Sequence, residues 1–377
     1  MSYGFSSHPK FAIVGAADAQ LAKPSMQTSG YSCNETYQSN IGVLPQTTDL
    51  RVTSPKSLRI AWGVSGSLDV LTACPPCTGF SRANPINHIE DDSRNSLVVK
   101  CIDFIAEFEP KIFIMENARE LIQGNHKHHL KSLQNSLLNL GYRVSAQVHN
   151  LNDFGLPQKR ERAVVIASRA EGPLPQLERL WEKRKIDPVA LNVSRALSVA
   201  SASAGDKRFP RIRDEGVADR IRNIPRDGGS WIDLAKSQES TKYLTPSMRR
   251  IIAAGKLGSY PDVYGRMRCD LPAPTIKREC AHVGNGRYCH PFEDRLLSIQ
   301  EMALIQGFPS NYTFHGRSLA NCYRQIGDAV PPLISAQLAE LCAASLENKP
   351  ADMQRAILSN TTLSISDISG GAQAIAA

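Results

Sequence analysis

The apolar positions of this chain sort into two kinds of segment. Leu97, Val98, Cys101, Ile105 and Phe108 recur at helical spacing, so Ser96–Phe108 is predicted to be an amphipathic helix, with Pro110 ending it. Leu130, Leu133, Leu137 and Leu140 mark a second core-facing helix, closed by Gly141. Between them, residues 112–115 (Ile-Phe-Ile-Met) form a short continuous apolar run, as expected of a central parallel strand covered on both faces. Residues 163–167 read the same way, residues 142–148 alternate weakly as a strand, and Leu68, Val70 and Leu71 read as the end of another buried strand. Further on, Leu297, Met302, Ile305 and Phe308 make a helical stripe that fits core packing, and residues 333–343 a last helix. Strands alternating with core-facing helices predict an α/β fold.

Near the start, residues 11–14 are apolar and β-prone and run into Gly15-Ala-Ala-Asp18. The second and third glycines of a G-x-G-x-x-G turn are absent, so this is a weak dinucleotide fingerprint. An acid ending a strand instead suits the second strand of such a fold, where it holds a ribose hydroxyl pair; a solvent-facing turn aspartate is the ordinary alternative. From about Arg169 the texture changes. Gly, Pro and Arg become common, long helices disappear, and Arg208, Arg211, Arg213, Arg220 and Arg222 gather between loop formers. Such a segment suits reading DNA, because Arg serves both phosphates and guanine edges; a merely solvated insert is the bland reading.

Charge and cysteine content narrow the class. Forty-four Lys and Arg against thirty-six Asp and Glu leave a formal charge of +8, which fits a polyanionic partner without proving one. Nine irregularly spaced cysteines without a signal peptide point to a reducing cytosol, and no apolar run reaches the roughly 18 residues needed to span a bilayer. A soluble, cytoplasmic protein without a membrane partner is expected.

Candidate chemistry concentrates at the carboxyl end of the 68–71 strand, in Thr72-Ala-Cys-Pro-Pro-Cys77-Thr78. Pro75 and Pro76 fix two consecutive φ angles, so Cys77 would sit on a stiff loop at the edge where parallel sheets place their chemistry. Cys74 and Cys77 also form a Cys-x-x-Cys pair, but no second pair follows, and Cys280, His282, Cys289 and His290 are irregularly spaced; no metal is expected. Residues 84–94 are polar and turn-rich, as in a mobile loop closing over substrate. Glu116 ends the 112–115 strand, where a buried carboxylate needs a dedicated donor. The run Lys159-Arg-Glu-Arg162 would by itself be a solvated turn.

These segments together resemble the DNA cytosine-C5 methyltransferases of bacterial restriction-modification systems. Pro76-Cys77 with Phe80-Ser81 resembles the catalytic loop, Glu116-Asn117-Ala118 the Glu-Asn-Val triplet, Gln158-Lys-Arg160-Glu-Arg162 the Gln-x-Arg-x-Arg motif, and Arg324-Gln-Ile-Gly-Asp-Ala-Val330 the closing motif, with Asp328 where the family has Asn. Ile224-Pro-Arg-Asp-Gly-Gly-Ser-Trp231 and the stretch from Tyr264 to Ile276 match elements of the target-recognition region. The resemblance covers residues 1 to about 345 and implies a Rossmann-like, S-adenosylmethionine-dependent sheet. A large domain over 1–168 would be completed by return helices over 293–345, with an irregular target-recognition domain over 169–292 and a disordered tail over 346–377.

The resemblance further implies a covalent adduct between Cys77 and a flipped cytosine. Glu116 would hold N3 and the amino group of the base, Arg162 its carbonyl and Arg160 a phosphate. Asp18, Asp49, Pro76, Leu97, Asp328 and Val330 would surround the cosubstrate, and Ser81, Gln158, Arg266 and Arg268 would contact duplex DNA. The family's first strand and glycine loop should precede Met1-Ser-Tyr-Gly-Phe5, so another polypeptide or an upstream segment is expected to supply them. A cognate restriction endonuclease is a further expected partner. Two alternatives stand beside this reading: a tRNA cytosine-C5 methyltransferase, and a non-catalytic DNA-binding subunit.

Overall fold

Ile112, Phe113, Ile114 and Met115 are fully buried, and their alternation divides the interior in two. Ile112 and Ile114 enter one core while Phe113 and Met115 enter another, the two-residue period of a strand covered on both faces. The computed structural model describes residues 1–20, 32–76, 95–258 and 260–370. Within them the strands are Ala17–Asp18 (β1), Gln46–Thr47 (β2), Val70–Ala73 (β3), Ile112–Ala118 (β4), Arg143–Asn150 (β5), Glu161–Ser168 (β6), Arg184–Ile186 (β7) and Ile368–Gly370 (β8). The main sheet has the order β3-β4-β6-β5. β3 lies parallel to β4, whereas β6 runs antiparallel to both of its neighbours.

One face of this sheet is covered by the Ser96–Phe108 and His128–Asn139 helices through Val98, Ile105, Leu130, Leu133 and Leu137. The other is covered by the short Ser2–Ser6 helix and by Pro332–Glu347, through Phe5, Leu333, Ile334, Leu338 and Leu341. The α/β architecture expected from the pattern is therefore the one found. Gly4 lets the first helix press onto the last: a Cβ there would stand 2.2 Å from the backbone nitrogen of Ala336. Beside this contact a buried His8–Glu340 pair (2.8 Å) ties the turn after the first helix to the last helix. The apolar stretch Leu319–Glu347 is long enough to cross a bilayer, yet 89% of its apolar 18-residue window is buried inside the fold, which accounts for its composition.

A further core gathers Val193, Ala196, Met267, Ile276, Leu297, Met302, Tyr323 and Ile326, so the return segment is shared with the 193–289 region. A satellite cluster around Trp231, Ile224, Leu234, Leu244 and Met248 belongs to that region alone. The change of texture at Arg169 does not end the sheet's own core, because Leu177, Leu180, Trp181 and Ala190 still pack within it.

Two sequence expectations are corrected. Residues 11–14 are not a strand: Phe11 instead packs edge-on against Phe5 (5.2 Å between centroids), and pairing is confined to Ala17↔Gln46 and Asp18↔Thr47 in a separate parallel pair. Over its described residues, 346–370, the tail is ordered. Met353, Ala356, Leu358 and Leu363 are buried, and β8 pairs antiparallel with β7. Its few apolar side chains lack any period, so only a complementary groove reveals their use.

Two outcomes follow. Gly4→Val should destabilise the protein by about 1–3 kcal/mol, read from the urea midpoint, since the added side chain meets backbone. Truncation after Pro350 should lower the thermal midpoint by several degrees, because it strips Met353 and Leu363 from the core; an unchanged midpoint in calorimetry would contradict the packing described.

Candidate active site

Because β3 and β4 are parallel and β6 is antiparallel to β4, the carboxyl ends of the first two meet the amino end of the third at one edge of the sheet. Three segments far apart in sequence converge there: Cys74-Pro75-Pro76, Glu116-Asn117-Ala118 and Glu161-Arg162. Asn117 ties the first two together. It is buried, its amide donates to the Pro75 carbonyl (3.0 Å), and its Oδ1 accepts from the Ala118 backbone (2.8 Å). A double proline has no N–H groups with which to anchor itself, so an outside donor is what this loop needs. No role for Asn117 is legible in the sequence beyond its position beside Glu116. Cys77, Ser81 and the 84–94 loop lie outside the described residues.

Glu116 finds the donor that its position demands. Arg162 Nε lies 2.9 Å from Glu116 Oε1, with the two side chains only 18% and 13% exposed. Arg162 also donates through Nη1 to the Glu161 carbonyl (2.7 Å). An accepting carboxylate beside a guanidinium suits a flat heterocycle that carries both an N–H edge and a carbonyl. The amino end of the Ser2–Ser6 helix reaches the same place.

Three predicted contact residues serve elsewhere. Arg160 is not placed to clamp phosphate: it is 1% exposed and donates to the carbonyls of Ile276 (2.9 Å), Gly327 (3.1 Å) and Ala329 (3.3 Å). Gln158 is fully buried, donating to Gln306 Oε1 (2.8 Å) and the Ile305 carbonyl while accepting from Ile276 N–H (2.9 Å). Both join the sheet to the 273–276 segment, which also pairs with it through Lys159 N–H to the Ala273 carbonyl (2.8 Å). Arg266 is fully buried too, spending its donors on the carbonyls of Ile221, Ile224, His290 and Glu293 and on Asp294. A buried guanidinium needs acceptors, and here converging carbonyls, joined for Arg266 by the Asp294 carboxylate, supply most of them as a phosphate would at a surface. Arg268 is exposed, paired with Asp270 (2.6 Å).

Around the expected cosubstrate position, Asp18, Asp328 and Arg278 surround Cys33. Burial chiefly, then the two carboxylates, push its thiol up to about 12 against the opposing effect of Arg278. Asp328 is half-exposed and 3.3 Å from Arg278 Nε, so the charge that replaces an amide is paired rather than stranded. Gly327 before it cannot carry a side chain, since a Cβ would stand 2.3 Å from the Lys277 carbonyl. Val330 is buried, Leu97 half-buried and Pro76 exposed. Asp49 spends both carboxylate oxygens on Arg51, whose hydrogen bonds hold it below the usual carboxylate range. Cys280 and Cys289, weighed as metal ligands, are core residues.

The chain is similar to known proteins in sequence and in fold. The family described as C-5 cytosine-specific DNA methylase matches residues 10–344. The type II methylase M.HgiDII of Herpetosiphon aurantiacus is 31% identical over 286 residues, covering 74% of this chain and 77% of that protein. M.DdeI of Desulfomicrobium norvegicum is 28% identical over 344 residues, covering 82% and 79%. Among solved structures, a DNA modification methyltransferase encoded within an E. coli prophage superposes with a TM-score of 0.62 at 15% identity, covering 92% of this chain and 96% of that one. The Entamoeba histolytica methyltransferase EhMeth superposes with a TM-score of 0.56 at 18% identity, covering 91% and 95%; likenesses this remote speak for the fold. With a match that runs through both the sheet and the return helices, the chain belongs to the C-5 cytosine-specific DNA methylase family.

Proposed function

We propose that this chain methylates C5 of a cytosine in duplex DNA at the edge formed by β3, β4 and β6, with Cys77 as nucleophile and Glu116 and Arg162 holding the base. The observation that carries the reading is the Glu116–Arg162 pair, set beside a loop that Asn117 anchors two residues before Cys77. C5 of an aromatic cytosine is a weak nucleophile. Addition of the Cys77 thiolate to C6, with Glu116 keeping a proton at N3, moves electron density to C5. S-adenosylmethionine, when bound, supplies the methyl group. Loss of the C5 proton and of the thiolate then restores the ring as 5-methylcytosine.

Asp18 and Asp328 are the residues that would hold the cosubstrate. Their carboxylates accept from hydroxyl and ammonium groups such as it carries, and both act on the same thiol, that of Cys33. Because the reacting carbons are buried in a duplex, the base must leave the stack at a cost of a few kcal/mol. The exposed Arg268 and the exposed Arg211 and Arg213 of the 193–289 region would help offset this through phosphate and groove contacts. A DNA substrate is favoured over tRNA because the matching family is one of DNA methylases.

Cys77→Ser should abolish methyl transfer from tritiated S-adenosylmethionine while DNA binding persists. Duplex containing 5-fluorocytosine should become trapped on the unaltered chain, and absence of an adduct on that peptide by mass spectrometry would reject the assignment. Glu116→Gln should lower kcat by about 10²–10⁴ with DNA affinity largely kept, as for loss of a general acid–base group; a kcat within a few-fold of the parent would remove Glu116 from the chemistry.

A further inference from the structure

At this edge Arg160 is buried on three carbonyls and Arg162 is held by Glu116, so neither presents a guanidinium to a passing phosphate. Arg119 does. It follows directly on Ala118, whose register partner is Arg162, and its side chain is 39% exposed. There it meets Glu161, itself 51% exposed, through Nη1, and Glu120 through Nε at 3.3 Å. Arg119 therefore stands one residue past the last rung of the ladder that carries the base-holding pair.

Exposed ion pairs of this kind contribute little and are readily exchanged. A phosphate presents anionic oxygens that accept from the planar, multi-donor guanidinium as the Glu161 carboxylate does, and its binding also releases counterions from the nucleic acid. We propose that Arg119 contacts the sugar–phosphate backbone of the nucleotide delivered to this edge, exchanging Glu161 for a phosphate. The inference rests on the function proposed above. Glu161 is then a stand-in that keeps the guanidinium extended towards the edge until DNA arrives. Lys159 is also exposed, but it lies on the segment whose backbone pairs with Ala273, and it serves as the control cation.

The test measures methyl transfer to plasmid DNA from a methylation-deficient host, with KM for DNA followed across salt concentrations. Arg119→Ala should raise KM about tenfold at low salt and reduce the slope of log KM against log salt by about 0.9, the loss of one phosphate contact. Arg119→Lys should keep most of that slope. Glu161→Gln, which removes the more exposed of the two competing carboxylates, should leave KM unchanged or lower it. If Arg119 merely braces Glu161, then Arg119→Ala and Glu161→Gln will raise KM alike with the salt slope unchanged, and the inference fails. It fails equally if Lys159→Ala reduces the slope and Arg119→Ala does not. An unaltered chain that transfers no methyl to duplex DNA, both alone and with the upstream strand and glycine loop restored, removes the underlying reading instead, and the inference with it. Thermal melts of each variant show whether a loss comes from unfolding.

Discussion

A carboxylate at the end of a strand buried on both faces cannot keep its charge without a donor, and in this protein the donor is Arg162. A hydrogen bond to a charged group of this sort contributes roughly 1.5–3 kcal/mol. Much of the architecture can be understood from that requirement. Arg162 reaches Glu116 because β6 runs antiparallel to β4 and begins where β4 ends. A parallel neighbour would place its amino end at the opposite edge of the sheet. The reversed strand is thus what brings a cation to a carboxylate at an edge otherwise made of strand carboxyl ends.

The second constraint concerns how that edge is kept in place. Gln158 and Arg160, close before Arg162 in the chain, are bound to the Ile276, Ile305, Gly327 and Ala329 carbonyls, and these belong to three separate segments. The entry to β6 is therefore fastened to the 273–276 segment and to the end of the Leu319–Asp328 helix at once. Anything that shifts the 193–289 region relative to the sheet would be felt two residues from Arg162 and its pair with Glu116. Gly327 supports the same junction sterically, by letting the helix end lie against the Lys277 backbone.

Arginine is the residue type for which sequence was the poorest guide here. Arg160, Arg162, Arg266 and Arg268 look alike in a basic, loop-rich chain, yet one braces a junction, one holds the Glu116 carboxylate, one organises the core of the 193–289 region and one lies at the surface. A guanidinium offers five donors, and whether they meet carbonyls, a carboxylate or water depends on which acceptors converge on it. Acceptors contributed by residues more than a hundred positions away leave no trace near the arginine itself.

Local pattern was sufficient for the Ser96–Phe108 helix, the 112–115 strand and the α/β class, because side-chain period reflects which faces must be buried. It was also sufficient to single out Glu116, since a charged residue ending an apolar run calls for a partner wherever it occurs. It could not say that residues 11–14 would pack instead of pairing, that the tail would be held by Met353 and Leu363, or that Asn117 would anchor the Pro75 loop. Those outcomes depend on surfaces assembled from distant parts of the chain. A short segment with little periodicity takes its conformation from the groove it meets, and the groove exists only once the sheet and its helices have come together.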